Sequence, residues 1–269
     1  MTRRLGTHRS ASIALGVVVM TFAACAPGTV EIAFSPEEGA VYGYVIEVQS
    51  ETTTRVAGQE SRHSSNTFTL RAKHEVQSTD REGSEVRVTL EAEGGEPRQL
   101  LVRLDRAAQL TEVVQVEGLP AEVLGDLGLS EIFPAAVGAP PEGPLRPGTT
   151  WEVDDPVQIT GSPRATLDGV GRLEALDVID GKEVAIVRSS YRLPVSRTSE
   201  DANSSQTIEG QQTTRSRTTY DLGDGSVVSA EAESLGRFSL ELRPPGSDIG
   251  PALGGSLEVR VRSVTKRVS

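Results

Sequence analysis

Val86-Arg87-Val88-Thr89-Leu90-Glu91-Ala92 puts an apolar side chain at every second position and a polar one between. A period of two is the repeat of a pleated strand, whose side chains point alternately to opposite faces. One face is then buried and the other wet, which is the antiparallel pattern. The same pattern recurs outward along the chain. Tyr42, Tyr44, Ile46 and Val48 share one face of an earlier segment. Leu257, Val259 and Val261 share one near the C-terminus, with Glu258, Arg260 and Arg262 opposite. Asp80-Arg81-Glu82-Gly83, Asp180-Gly181 and Gly223-Asp224-Gly225 supply turn residues that tolerate positive φ and close hairpins. The expected fold is mainly β, with long antiparallel strands in a curved sheet or half-barrel.

One segment departs from the period of two. Leu119, Val123, Leu124, Leu127, Leu129, Ile132 and Phe133 are its apolar positions, several of them three or four apart, which predicts one or two short helices weakened by Gly125 and Gly128. A Pro/Gly-rich stretch follows, from Gly138 to Pro144. Two hairpin-like segments of similar length, Leu70–Val88 and Gly171–Val187, raise the expectation of two related halves. Each half also has a Ser/Thr-rich stretch with a Gly-Gln pair, Gly58-Gln59 and Gly210-Gln211. The predicted layout is a signal peptide at 1–24 and a tether at 25–38. A first β half at 39–138 carries the helical segment at 119–137. A connection at 139–149 then leads to a second β half at 150–269.

The N-terminus reads as an export signal. Arg3, Arg4 and Arg9 open it, no acid precedes Cys25, and the apolar run from Ala11 to Ala24 is too short to span a bilayer. Its end, Phe22-Ala23-Ala24-Cys25, resembles a lipobox, where bacterial lipoproteins receive diacylglycerol on the cysteine and are cut before it. Cys25 is the only cysteine, so no intramolecular disulfide forms, and lipidation would remove a reactive thiol. Three of the 27 basic residues and none of the 38 acidic ones precede Cys25, leaving a mature chain of net charge −14 (24 against 38). That charge disfavours nucleic acid and anionic headgroups as partners.

No motif of catalysis stands out. His63 and His74 lie in polar strand segments and read as solvated, and no cysteine pair or His-x-x-x-His points to a metal. No serine sits in Gly-x-Ser-x-Gly. Asp154 and Asp155 are adjacent, so on a strand they face opposite ways. Asp221-Leu222-Gly223-Asp224-Gly225 lacks the spaced acids of a calcium loop and reads as a hairpin turn. The chain is therefore read as a non-enzyme without cofactor or metal. Trp151, the single tryptophan, reads as a core anchor, with a ligand-facing wall as the alternative.

The lipobox, the Pro147-Gly148-Thr149-Thr150-Trp151 stretch and the Thr-rich strands together resemble a group of uncharacterised bacterial lipoproteins. The layout is more distantly similar to the lipoprotein-carrier fold, a half-barrel closed by short helices around a hydrophobic cavity. That resemblance implies an extracytoplasmic, membrane-anchored, non-catalytic binding module for an apolar ligand or lipid. Leu124, Leu127, Phe133 and Trp151 would be its ligand-facing residues. The alternative is an envelope structural or interaction protein without a cavity, favoured by 4% aromatic content and by the polar stretches 49–67 and 199–219.

Overall fold

The computed structural model describes residues 28–106, 108, 110–116, 119–120, 140–154, 156–157, 165–200, 205–243 and 252–268. Its first half holds β1 (Val41–Val56), β2 (Arg62–Thr79), β3 (Gly83–Ala92), β4 (Arg98–Asp105), β5 (Leu110–Val116) and β6 (Leu119–Pro120). The second half holds β7 (Thr150–Val153), β8 (Pro156–Val157), β9 (Ala165–Thr166), β10 (Asp168–Ile179), β11 (Lys182–Glu200), β12 (Ser205–Asp221), β13 (Val227–Arg243) and β14 (Leu253–Arg267). No helix occurs among the described residues.

Twelve strands form one antiparallel sheet in the order β6-β5-β4-β3-β2-β1-β14-β13-β12-β11-β10-β7, while β8 and β9 pair separately. Nearly every neighbour in the sheet is a neighbour in sequence. The exceptions are the β1–β14 pair, which joins the two halves at the centre, and the β7–β10 pair at one edge. The sheet stays unclosed between β6 and β7. Its curvature follows from burial: Leu104 on β4 and Leu173 on β10 belong to one core cluster although seven strands lie between them in the sheet order. Only a sheet curled around its inner face brings both into contact with the same residues.

The alternation carries this architecture. Tyr42, Tyr44, Ile46 and Val48 are buried on β1, and Val86 and Val88 are buried on β3 while Arg87 is exposed. Of the helical segment expected at 119–137, Leu119 and Pro120 instead form a strand that pairs with Val116 and Gln115. Proline has no N–H to give to a ladder, so its place in a sheet is at such an edge. The remainder of that segment, with Leu124, Leu127 and Phe133, lies outside the described residues, as do Cys25 and the signal segment 1–24.

The described part of the expected tether is packed. Ile32 and Phe34 are buried in the core cluster, and Phe34 meets Tyr42 with ring centroids 6.4 Å apart. The Val30 backbone bridges to Leu145, and the Ser35 N–H donates to the Asp224 carbonyl at 2.9 Å. Residues 30–35 thus cross one end of the half-barrel as a plug. Gly225, at φ 70°, lies so close to the Ala33 carbonyl that a Cβ there would strike it. Glycine suits both demands.

A polar network locks the β12–β13 turn to the strands around the plug. Tyr42 Oη donates to Asp224 Oδ2 at 2.9 Å, and the Ser226 N–H donates to Asp224 Oδ1 at 2.9 Å. Arg267 Nη2 donates to Asp221 Oδ2 at 3.0 Å and Nη1 donates to Ser226 Oγ at 2.6 Å. Lys182 Nζ reaches the same Asp221 oxygen at 3.0 Å. Burial alone would raise the Asp221 carboxyl, but the Gly223 N–H, Arg267 and Lys182 outweigh it and hold it below the usual carboxylate range. The acids of the 221–225 stretch are therefore spent on a hairpin turn and its neighbours.

Candidate ligand-binding face

The inner face has two zones. Next to the plug it is filled by bulky residues: Tyr42, Tyr44, Val86, Val88, Leu100, Val102, Leu173 and Tyr220. Further along the strands, the register places Val48, Ser263, Ala232, Ser216 and Ser189 in one row from β1 to β11. The next rows are Ser50, Val261, Ser234, Thr214 and Tyr191, then Thr52, Val259, Gly236, Gln212 and Leu193. Small side chains dominate the first two rows, forming a trough of small residues beyond the bulky core in which Val48, Ser189, Thr214 and Ser263 are themselves buried by their neighbours. The hydroxyls there partly satisfy one another: Thr214 Oγ1 and Ser234 Oγ are 2.8 Å apart.

Past the trough, the strands extend beyond their outer neighbours. β2 pairs with β3 only from Leu70 onward, and β10 pairs with β11 only as far as Arg192. The inner face of this six-stranded extension is apolar: Leu257, Val259, Phe238, Ile208, Leu193 and Val195 are all half-buried. Its outer face is charged, with Glu51, Glu209, Arg237, Glu258 and Arg260. Ion pairs stitch that face together: Glu258 meets Arg237 at 3.5 Å and Arg260 at 3.0 Å.

Trp151 is the one sequence-predicted ligand residue that the structure describes. It lies on β7, on the inner side, half-buried and packed against the core cluster. Its indole covers Gly171 on β10 so closely that any Cβ at position 171 would collide with the ring. The tryptophan therefore does the work of a core anchor at the edge of the trough. Its Nε1 is nonetheless buried with no hydrogen-bond partner among the described residues, as is Thr265 Oγ1. Buried polar atoms are nearly always satisfied, so each marks a place where a partner is called for.

The histidine reading divides. His63 is exposed and within 3.2 Å of Thr53 Oγ1, as a solvated residue is. His74 is a correction: it faces inward opposite Tyr42, with its ring centroid 4.8 Å from that of Tyr44. It occupies the apolar phase of Ala72-Lys73-His74-Glu75-Val76, and this phase was the available signal. Burial lowers its pKa to about 4, so it is neutral at pH 7. Among the described residues, no three His, Cys, Asp or Glu side chains come together as a metal site.

No protein-family model and no curated protein matches the chain. Among solved structures it has a likeness to DynF from the dynemicin biosynthesis pathway of Micromonospora chersina, at 13% identity, covering 89% of this chain and 85% of that one. The TM-score is 0.22, a level that carries no argument for fold or function.

Proposed function

We propose that the protein is an extracytoplasmic lipoprotein, held to a membrane by lipid on Cys25, whose half-barrel is a non-catalytic binding module for an apolar ligand such as a lipid. The observation that carries this reading is the inner face beyond the core. Leu257, Val259, Phe238, Ile208, Leu193 and Val195 line a concave surface beside a trough of serines and alanine, and no described element lies across them. Ligand sites are concave, mostly apolar and equipped with a few polar groups.

Binding of a fluorescent acyl-chain probe to the mature domain tests this reading. Ala232→Trp fills the trough while leaving the bulky core intact, and is expected to weaken probe binding about tenfold or more, roughly 1.4 kcal/mol. Glu233→Gln, on the outer face of the same strand, is the control and leaves binding unchanged. Equal affinity in both variants, with unchanged thermal melting, contradicts the site.

A second reading, an envelope protein that binds a partner through its strands, is favoured by one feature. Arg62–Thr69 of β2 is a fully exposed sheet edge with no described strand beyond it. The opposite edge of the extension carries Pro194, a residue that cannot donate to an incoming strand, whereas the β2 edge has no proline. Such an edge suits the addition of a partner's strand. Capture of an extended peptide by the mature domain, lost on Thr67→Pro, is the outcome that favours this reading over the apolar site.

A further inference from the structure

We infer that the plugged end of the half-barrel is a lipid-contacting surface, so that the six-stranded extension projects away from the anchoring membrane. This rests on the reading of Cys25 as the lipid-bearing residue. Cys25 stands five positions before Val30, which is fixed to Leu145 by 2.9 Å and 2.7 Å backbone hydrogen bonds. Five residues span at most about 18 Å. From Tyr42, against which the plug packs, β1 runs fourteen residues to Val56, or about 46 Å. A lipid on Cys25 is thus tethered near the plug and out of reach of the tips of the extension.

A separate observation points the same way. Four of the seven exposed large apolar side chains among the described residues lie at this end, and Leu253 alone lies at the tip of the extension. Val178 is 62% exposed and Ile179 38% exposed, at the tip of the β10–β11 hairpin. Val268 is 62% exposed and Val41 48% exposed, where β14 ends beside the start of β1. The hairpin and the β14 end are tied together through Asp221, which binds both Lys182 and Arg267. These positions do not serve the core, and apolar residues exposed together mark an interaction surface. Acids (Glu37, Glu38, Asp180) and bases (Lys73, Lys182, Lys266) are mixed among them, so no single-sign field is built there and contact is with apolar and zwitterionic lipid under the grip of the anchor.

The consequence is directional. The trough and the apolar inner face open toward whatever stands opposite the anchoring membrane. A ligand or partner is met there, away from the bilayer that holds the protein.

The test uses the native lipoprotein reconstituted into phosphatidylcholine vesicles that contain a diazirine-bearing phospholipid. After photolysis, crosslinked peptides are mapped by mass spectrometry. Crosslinks in the peptides carrying Val178–Ile179 and Val268, with none in residues 57–62, are the expected result. Crosslinks concentrated at 57–62 and absent from the hairpin tip overturn the inference. If intact mass shows that native Cys25 carries no lipid, the anchor reading fails by itself. The orientation is then read on the mature chain with a lipid thioester ligated to its N-terminal cysteine, with the same two outcomes. Val178→Ser with Ile179→Ser provides a second check: it should abolish the hairpin crosslinks without lowering thermal stability.

Discussion

Val88→Asp is expected to lower the stability of the domain by about 4 kcal/mol, because it places a charge without a partner in the core. Val88 is 0% exposed, pairs with His74 on one side and Leu100 on the other, and belongs to the single core cluster. The titratable side chain paired with it, His74, is held neutral at pH 7 by burial and so supplies no standing counter-charge. Arg87, one residue away, points outward and is exposed. Arg87→Asp should change stability by less than about 0.5 kcal/mol. Urea unfolding of the two variants measures both. Similar losses would mean that the two positions do not lie on opposite faces, and the register of the whole first half would be wrong.

A second large effect is expected from pH. Burial lowers the His74 pKa from 6.5 to about 4. Above pH 6.5 the ring is neutral in the folded and unfolded chains alike, and the group has no influence on stability. Between pH 6.5 and 4 only the unfolded chain takes up the proton, so stability falls as the pH falls through that window. The loss reaches the order of 3 kcal/mol at pH 4. His74→Leu keeps the contact with Tyr44 and should flatten the curve between pH 7 and 4. Asp221 acts lower on the scale. Its folded-state carboxyl is held below the ordinary range, so its contribution is present above about pH 3.9 and is lost as the pH falls further. Chemical denaturation at several pH values separates the two. A slope between pH 6.5 and 4 that survives in His74→Leu contradicts the assignment.

The strands next to the plug were legible because burial there is one-sided and the inward residues are large. Tyr42 to Val48 and Val86 to Leu90 show the period of two without help from any neighbour. The same strands lose that signal further out. In Ser205–Arg217 the inward positions are Gln206, Ile208, Gly210, Gln212, Thr214 and Ser216, with one large apolar residue among them, and Ser205, Thr207, Gln211 and Thr213 on the outer face are of the same polar kind. Polar small residues on both faces have no amphipathic period, so the trough becomes visible only when the register sets Ser189, Ser216, Ala232 and Ser263 side by side. The pairing of β1 with β14 is likewise a long-range fact that no local pattern states.

Two local signals were present and were outweighed by their setting. Val30-Glu31-Ile32-Ala33-Phe34 alternates, but its place just after the expected cleavage site made it look like a tether. The curled sheet leaves one end open, and Ile32 and Phe34 bury themselves there. Trp151 carried two readings, and the contact with Gly171 explains why the anchor role applies. The ring covers a backbone that lacks a side chain of its own, which stabilises a glycine in a strand.

The central claim is that the inner face beyond the core holds an apolar ligand. Native mass spectrometry of the protein purified from its own membranes, followed by solvent extraction, tests it most directly. The account predicts a bound lipid-sized mass beyond the covalent anchor, retained by the wild-type chain and missing from folded Ala232→Trp. A wild-type chain that carries no such mass, and gains none when saturated with lipid, would contradict it.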